Sequence, residues 1–387
     1  MAESHPEVRG TIYSLLVFAD IVDSSKYSAV LGYKEYARRL LDFQNTFQRL
    51  GKKYFPDPWD RSKEYCLVKA RGDEGILFYA RTQPNFSELV FRSIEFIYHL
   101  KGRLRFGIDE KDEGSTSPRR MGLGAGIHVG QVAFAIKQEN NRSVIDCLEG
   151  FSINYAKRVE SCSRLGKYSR VFLSKDAARL LEDKPVVFSR MTAPMKGIEE
   201  SGEVFEVQAG LFSGLKLDPN DPEDEHLQSQ VNYIASRPIE VEEPWVKSLA
   251  VSVLDYLLDQ SPVSARRVEY RNLQLNLAWH SSIEDDPILL YVRARDFWEK
   301  KQYTQYIRYL RQILQDHPEF VHARKRMITA CWAITKSKAE PADKVFARDM
   351  AREFLDRFPQ FLTPEEKKEF QALIREVERK VKRKKGK

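Results

Sequence analysis

Two aspartates stand where short apolar runs stop. Asp20 ends the run SLLVFAD, with Asp23, Ser24 and Ser25 directly behind it. Asp73 lies in VKARGDEG, at a glycine turn between the β-like runs CLVKA and GILFYA. An acid at a strand end can be a helix cap, because its oxygens accept the unpaired N–H groups of the following turn. It can also be a metal ligand. A hairpin beside the strand that ends at Asp20 would bring the two carboxylates together, and converging hard oxygens suit Mg²⁺ or Mn²⁺. Two such ions on a triphosphate stabilise both the attacking and the leaving oxygen. A third stretch, EGFSINYAKRVESCSRLG, spaces Gly150, Asn154 and Arg158 by four. On a helix Asn154 and Arg158 share a face, where an amide and a guanidinium can hold a ribose oxygen and a phosphate. Taken singly, these residues read equally well as cap, turn residue and polar helix face. His128, within GIHVG, reads as a satisfied core histidine and takes no catalytic role.

The elements that must position these side chains alternate between residues 12 and 208. The β-like runs SLLVFA, CLVKA, GILFYA, GLGAGIHV, RVFLS and EVFEV are separated by helix-patterned segments such as Tyr33 to Tyr54 and Ser87 to Leu100. This predicts an α+β or α/β domain over about residues 1–210. The stretch KGRLRFGIDEKDEGSTSPRRMG reads as a surface loop. Residues 211–245 turn acidic and Pro-containing and read as a linker. Beyond it the pattern is helical: LRQILQDHPEF (Leu310 to Phe320) is echoed by AREFLDRFPQF (Ala351 to Phe361). One pair resembles a tetratricopeptide repeat, with Tyr303 starting its second helix and Pro318 closing it, so residues 246–378 are expected to form a degenerate all-α helical-repeat region. Its aromatic residues are expected in the core, and its stacked hairpins are expected to bind a protein or another trigger.

Composition narrows the class. The chain has 387 residues, 42% hydrophobic and 31% charged, with four scattered cysteines and no CxxC spacing. That argues against a zinc site or a disulfide framework and for reduced, mostly buried thiols. No apolar run approaches a membrane span and no signal peptide is evident, so a cytoplasmic location is expected. The net charge of +7 is concentrated in the tail RKVKRKKGK, residues 379–387. The tail is read as a solvated end, and without interleaved aromatics nucleic acid is not the expected partner.

Taken together and in order, the motifs resemble the class III nucleotide cyclases, the adenylate and guanylate cyclase catalytic domains. The resemblance runs over roughly Ile12 to Val207: F-x-D-I at Phe18 to Ile21, K-x-x-G-D at Lys69 to Asp73, G-I-H-x-G at Gly126 to Gly130 and G-x-x-x-N-x-A-x-R at Gly150 to Arg158. It implies a ferredoxin-like fold in which GIHVG and VAFA are a central strand and its turn. It also implies a phosphorus–oxygen lyase that converts a nucleoside triphosphate to a 3′,5′-cyclic nucleotide and pyrophosphate. Asp20, Asp73 and the main chain at Ile21 would hold two Mn²⁺ or Mg²⁺ ions, with Phe18 and Ile21 beside the substrate. Asn154 would orient the ribose, and Arg158 would stabilise the pentavalent phosphorus. Because the family's site forms between two domains and this chain carries both residue sets, the resemblance implies a head-to-tail homodimer with two sites.

The base-reading pair departs from the family's pattern. Lys69 fits the adenine-selecting position, whereas the second position falls on Cys147, more typical of guanine selection, with Asp146 one place earlier as though a residue were inserted. The phosphate-binding lysine near the domain's end corresponds to Lys196, followed by Gly197 and then Ile198. The mixed pair resembles bacterial pyrimidine cyclases of antiphage signalling, which make cyclic UMP or cyclic CMP, because a smaller base presents different edges. That reading is placed ahead of a bacterial adenylate cyclase, for which Lys69 argues. A silent cyclase-like dimerisation module comes last, since it has no physical need of Asp20, Asp73, Asn154 and Arg158 together.

Overall fold

The computed structural model describes residues 7–56, 64–81, 85–104, 122–139, 142–181, 184–195, 202–238, 244–280, 286–336 and 341–385. The chain opens with a long strand β1 (Glu7–Val22), then α1 (Ser24–Leu31), α2 (Tyr33–Tyr54), the hairpin β2 (Glu64–Arg71) and β3 (Glu74–Arg81), α3 (Phe86–Arg103) and β4 (Gly122–Glu139). These strands lie in the order β2-β3-β1-β4, all antiparallel, which is the split β-α-β-β-α-β arrangement expected of a ferredoxin-like core. The chain continues through β5 (Arg142–Glu149), α4 (Phe151–Ser161), β6 (Val171–Ser174), α5 (Lys175–Arg179), β7 (Val186–Ala193) and β8 (Gly202–Gly210). β6 joins β4 in parallel and extends the sheet through β8 to β7, while β5 pairs with β4 at its far end.

Strand periodicity assigns the two faces of this sheet. Leu15, Val17, Ala19 and Ile21 point to one side, into the main core with Phe43, Phe47, Ile94 and Ile97 of α2 and α3. Leu16 and Phe18 point to the other, into a small cluster with Phe78, Ala80, Val132 and Ala156 of α4. That second face leaves Tyr65, Leu67, Ile76, Ile145 and Leu148 only half-buried, and Phe151 stands 69% exposed.

The motif GAGIHVG is a packing device as well as a resemblance. A Cβ on Gly126 would lie 2.2 Å from the backbone nitrogen of Glu160 and 2.8 Å from the carbonyl of Ala156, so α4 can rest on β4 only because that position is bare. We expect Gly126→Ala to cost about 3 kcal/mol, since the clash is with backbone and cannot be relieved by a rotamer change. A fall in the urea midpoint at unchanged m-value would record it. The expected turn after GIHVG is not there. β4 runs unbroken through Gly130 to Glu139, because its ladder with β1 extends over Gly130 and Gln131, opposite Ser14 and Tyr13.

The acidic stretch 211–245 contains a helix, α6 (Pro222–Ser236), opened by an Asp221 cap with Pro222 in its first turn. Asp224 is fully buried, 2.6 Å from His99 Nε2 and 2.7 Å from the Arg103 guanidinium; His99 Nδ1 in turn lies 3.1 Å from the Tyr54 hydroxyl. Burial pushes the Asp224 carboxyl up, but the hydrogen bonds from His99 and Arg103 outweigh it and hold the group below the ordinary carboxylate range.

Six further helices are α7 (Pro244–Gln260), α8 (Ser264–His280), α9 (Pro287–Glu299), α10 (Tyr303–Asp316), α11 (Val321–Lys336) and α12 (Pro341–Arg357); α13 (Pro364–Lys385) closes the chain. Each packs on the next, as stacked hairpins do. Tyr303 opens α10 as expected, and the two echoed segments both cover a helix end, at α10 and α12, tied by Arg311 to Glu353 at 3.0 Å. The aromatic residues are mostly core: Tyr291 and Tyr306 are each 3% exposed. Residues 379–385 of the basic tail continue α13. α7 seats the helical region on the sheet, where Ser248 and Ser252 accept the N–H groups of Gly210 and Phe212 at the end of β8. Cys162 and Cys331 are buried free thiols and Cys66 is half-buried. No helix among the described residues is long and apolar enough to cross a membrane.

Candidate active site

The fold places Asp20 and Asp73 side by side, close enough for the charge of Asp73 to act on Asp20. Asp20 sits in β1 opposite Glu74 on one side and Gly124 on the other. Asp73 occupies the two-residue turn between β2 and β3, after Gly72 at φ 61°, a left-handed conformation glycine adopts freely. The turn is tied down by three contacts: the Ile21 N–H donates to the Asp73 carbonyl (3.1 Å), the Gln44 amide to the Gly72 carbonyl (2.9 Å), and the Ser24 hydroxyl to Asp73 Oδ2 (2.5 Å). Asp20 does not act as a helix cap. That place is taken by Asp23, at φ 58°, whose carbonyl accepts the N–H of Lys26 (2.9 Å).

The pair is electrostatically loaded. Burial and then the nearby Asp73 raise the Asp20 carboxyl to about 6, against the opposing pull of Arg164. Burial, followed by the charge of Asp20, raises Glu160 on α4 to about 7. A divalent cation is the group that reverses this, because it favours the charged form of both acids. Among the described residues no group of three or more His, Cys, Asp or Glu is placed to hold a metal. Two carboxylates suit Mg²⁺ or Mn²⁺ without one, since these ions keep several waters and bind through one or two carboxylates plus substrate phosphates. The sign of the effect is testable. With its folded value above the unfolded one, ionised Asp20 weakens the metal-free protein as pH rises from about 4 through about 6. Asp20→Asn should therefore raise the metal-free melting temperature at pH 7.5 and remove the stabilisation by Mn²⁺; a variant that melts lower without metal, or keeps the Mn²⁺ effect, contradicts the assignment.

The remaining sequence candidates divide by face. Ile21 is 2% exposed and turned to the α2–α3 side, so only its main chain faces the carboxylates. Phe18 is 3% exposed, its ring under α4 and its backbone between Ile76 of β3 and Gly126 of β4, so the structure does not open it to a ligand. Lys69 is exposed in β2 and shares the α4-side face with Phe18 through Ile76, which pairs with both. Asn154 is exposed on α4, and Arg158 is half-buried with a buried Nη1 that lacks a hydrogen-bond partner. Neither touches Asp20 or Asp73. The cations beside the acids are Arg164, 3.4 Å from Asp20, and Lys157, 2.6 Å from Glu74. These two, with Glu160 and Ser24, were missed from the sequence, although Lys157, Glu160 and Arg164 recur at helical spacing beyond Asn154. His128 is a buried core residue, 2.9 Å from the Ser174 hydroxyl, and burial lowers it to about 4.

Cys147 lies in β5 opposite Ala135, and the next pair is Ile145 with Ile136. Asp146 is thus an extra residue, a β-bulge at the position where the sequence suggests an insertion. The side chains of Asp146 and Cys147, and residues 196–198 with Lys196, lie outside the described residues.

No protein-family model matches the sequence, and no curated protein matches it either. Among solved structures it is similar to the adenylyl cyclase CyaB from P. aeruginosa, at 18% identity over 52% of this chain and 95% of that one, with a TM-score of 0.41. It is similar to the guanylyl cyclase Cya2 at 16% identity, over 52% and 94% of the two chains, with a TM-score of 0.40. A third is the guanylate cyclase domain of RhGC from Catenaria anguillulae in complex with GTP, at 17% identity over 51% and 97%, with a TM-score of 0.37.

Proposed function

We propose that the chain is a class III nucleotide cyclase that converts a nucleoside triphosphate to its 3′,5′-cyclic nucleotide and pyrophosphate. One observation carries the reading: Asp20 and Asp73 converge from distant parts of the chain, while Asn154 and Arg158 lie on the same side of the sheet without touching them. Asp20 and Asp73 would hold Mn²⁺ or Mg²⁺, which supplies positive charge to the triphosphate and favours the ionised 3′-hydroxyl. The amides that open α1, beginning at Ser24 whose hydroxyl reaches Asp73, would suit phosphate oxygens. Arg158 brings the guanidinium fork for the α-phosphoryl oxygens, and Asn154 fixes the ribose. No protein nucleophile is needed, since alignment and charge supply the rate.

Two subunits complete the site. The half-buried apolar side of β2, β3 and β5, with Phe151 beside it, supports a homodimer in which each subunit lends Asn154 and Arg158 to its partner's carboxylates. For the base, the adenine-selecting pair is incomplete, with Lys69 in place but Cys147 at the second position and Asp146 one residue earlier, and a site without that pair suits a smaller pyrimidine. An output of cyclic UMP or cyclic CMP would suit a second messenger of antiphage defence. Exposed Lys69 supports the second reading, an adenylate cyclase.

The test is incubation of the purified chain with ATP, GTP, CTP and UTP plus Mn²⁺, with each cyclic product resolved by mass. Cyclic UMP or CMP supports the pyrimidine reading, and cyclic AMP replaces it with the second. No product from an intact dimer would reduce the chain to a silent dimerisation module.

A further inference from the structure

The helical region contains a cavity of about 150 Å³ between α9, α10 and α11, lined by Tyr291, Arg295, Trp298, Glu299, Tyr306, Arg326 and Thr329. Its charges do not cancel. Arg295 is balanced by Asp255 of α7 at 2.9 Å, and Glu299 by Arg271 of α8 at 2.8 Å. Arg326 is exposed and pairs with no carboxylate among the described residues; its guanidinium donates to the Tyr291 hydroxyl, which also meets His322 Nε2 at 3.1 Å. Burial pushes both phenols up, so Tyr291 and Tyr306 stay protonated and add no negative charge. A guanidinium without a carboxylate partner at the mouth of a cavity is a site for a single anionic group. Beside these charged groups the wall carries the rings of Tyr291, Trp298 and Tyr306. Trp298 stands in a cluster with Tyr303 and Tyr306, at ring separations of 5.0 and 5.2 Å, and suits a planar body of benzene-ring size.

We propose that this cavity binds a small planar organic oxyanion, a carboxylate or phosphate ester, with its charged group on Arg326 and its ring against Trp298. The proposal stands apart from the carboxylate pair of the sheet and does not depend on the cyclase reading. It would serve as an input site, because Arg295 links the cavity wall to α7, the helix seated on β8.

Calorimetry and ligand-observed NMR on the full chain in EDTA test it, with benzoate and phenyl phosphate as probes and benzyl alcohol as the uncharged control. We expect one of the two anions to bind in the sub-millimolar range, the tighter one identifying the oxyanion, and Arg326→Glu to weaken it at least about tenfold. Arg375→Glu, an exposed change on α13, should leave binding unaltered. The proposal is overturned if neither anion binds at about 10 mM, if Arg326→Glu binds as the parent does with an unchanged melting temperature, or if benzyl alcohol binds equally well.

Discussion

Asp73→Ala is expected to lower cyclic nucleotide formation at saturating triphosphate and Mn²⁺ by about 10³-fold or more, the scale of losing a principal electrostatic group from such a site. The side chain is suited to a clean deletion. It is half-buried at a turn tip, and among the described residues the Ser24 hydroxyl is its one side-chain hydrogen-bond partner. The contact that joins the hairpin to β1 is made by the Asp73 carbonyl, which alanine retains. The variant should also report on its neighbour. Asp73 is the second cause of the raised Asp20 carboxyl, so its removal should bring Asp20 down toward its ordinary value. A metal-free melt no lower than the parent's, together with lost turnover, is the expected combination. Turnover within tenfold of the parent would remove Asp73 from the metal site and with it the two-carboxylate mechanism.

What the sequence disclosed followed from local signals strong enough to survive folding. β1, the β2–β3 hairpin and α2 were legible because an apolar run, a glycine turn and a 3.6-residue pattern each act within a few residues. β5 and β7 were missed. RSVIDCLE and VVFSRMTA alternate poorly, and β5 owes part of its irregularity to the bulge at Asp146. The stretch 211–245 was read by composition, yet DPEDE is also a helix opening, an aspartate cap followed by proline and first-turn acids. Its burial was not legible at all, since the partners that make a buried Asp224 tolerable, His99 and Arg103, are more than 120 residues earlier in the chain. The site shows the same division. Asp20 and Asp73 could be proposed from two short motifs, whereas Arg164, Lys157 and Glu160 gain meaning only once Gly126 lets α4 lie flat on β4.

The second large effect concerns who supplies Arg158. Within one chain the acids already have cations beside them, Arg164 and Lys157, and Arg158 Nη1 is left buried without a partner. Arg158 as a whole is only half-buried on α4, and a triphosphate held by another subunit's carboxylates would be a group for its guanidinium fork to meet. Arg158→Ala alone should therefore be as silent as Asp73→Ala alone. Mixed and allowed to exchange subunits, the two variants form heterodimers in which one site has lost both groups and the other has lost neither. A 1:1 mixture should recover about a quarter of the parent's activity, because half the dimers are mixed and each carries one of two sites. Recovery should rise with time as subunits exchange and vanish when the Asp73→Ala and Arg158→Ala changes are placed in the same chain. If each variant dimerises and exchanges subunits but the mixture stays silent, the carboxylates and the guanidinium belong to one subunit's site, and the head-to-tail arrangement is wrong.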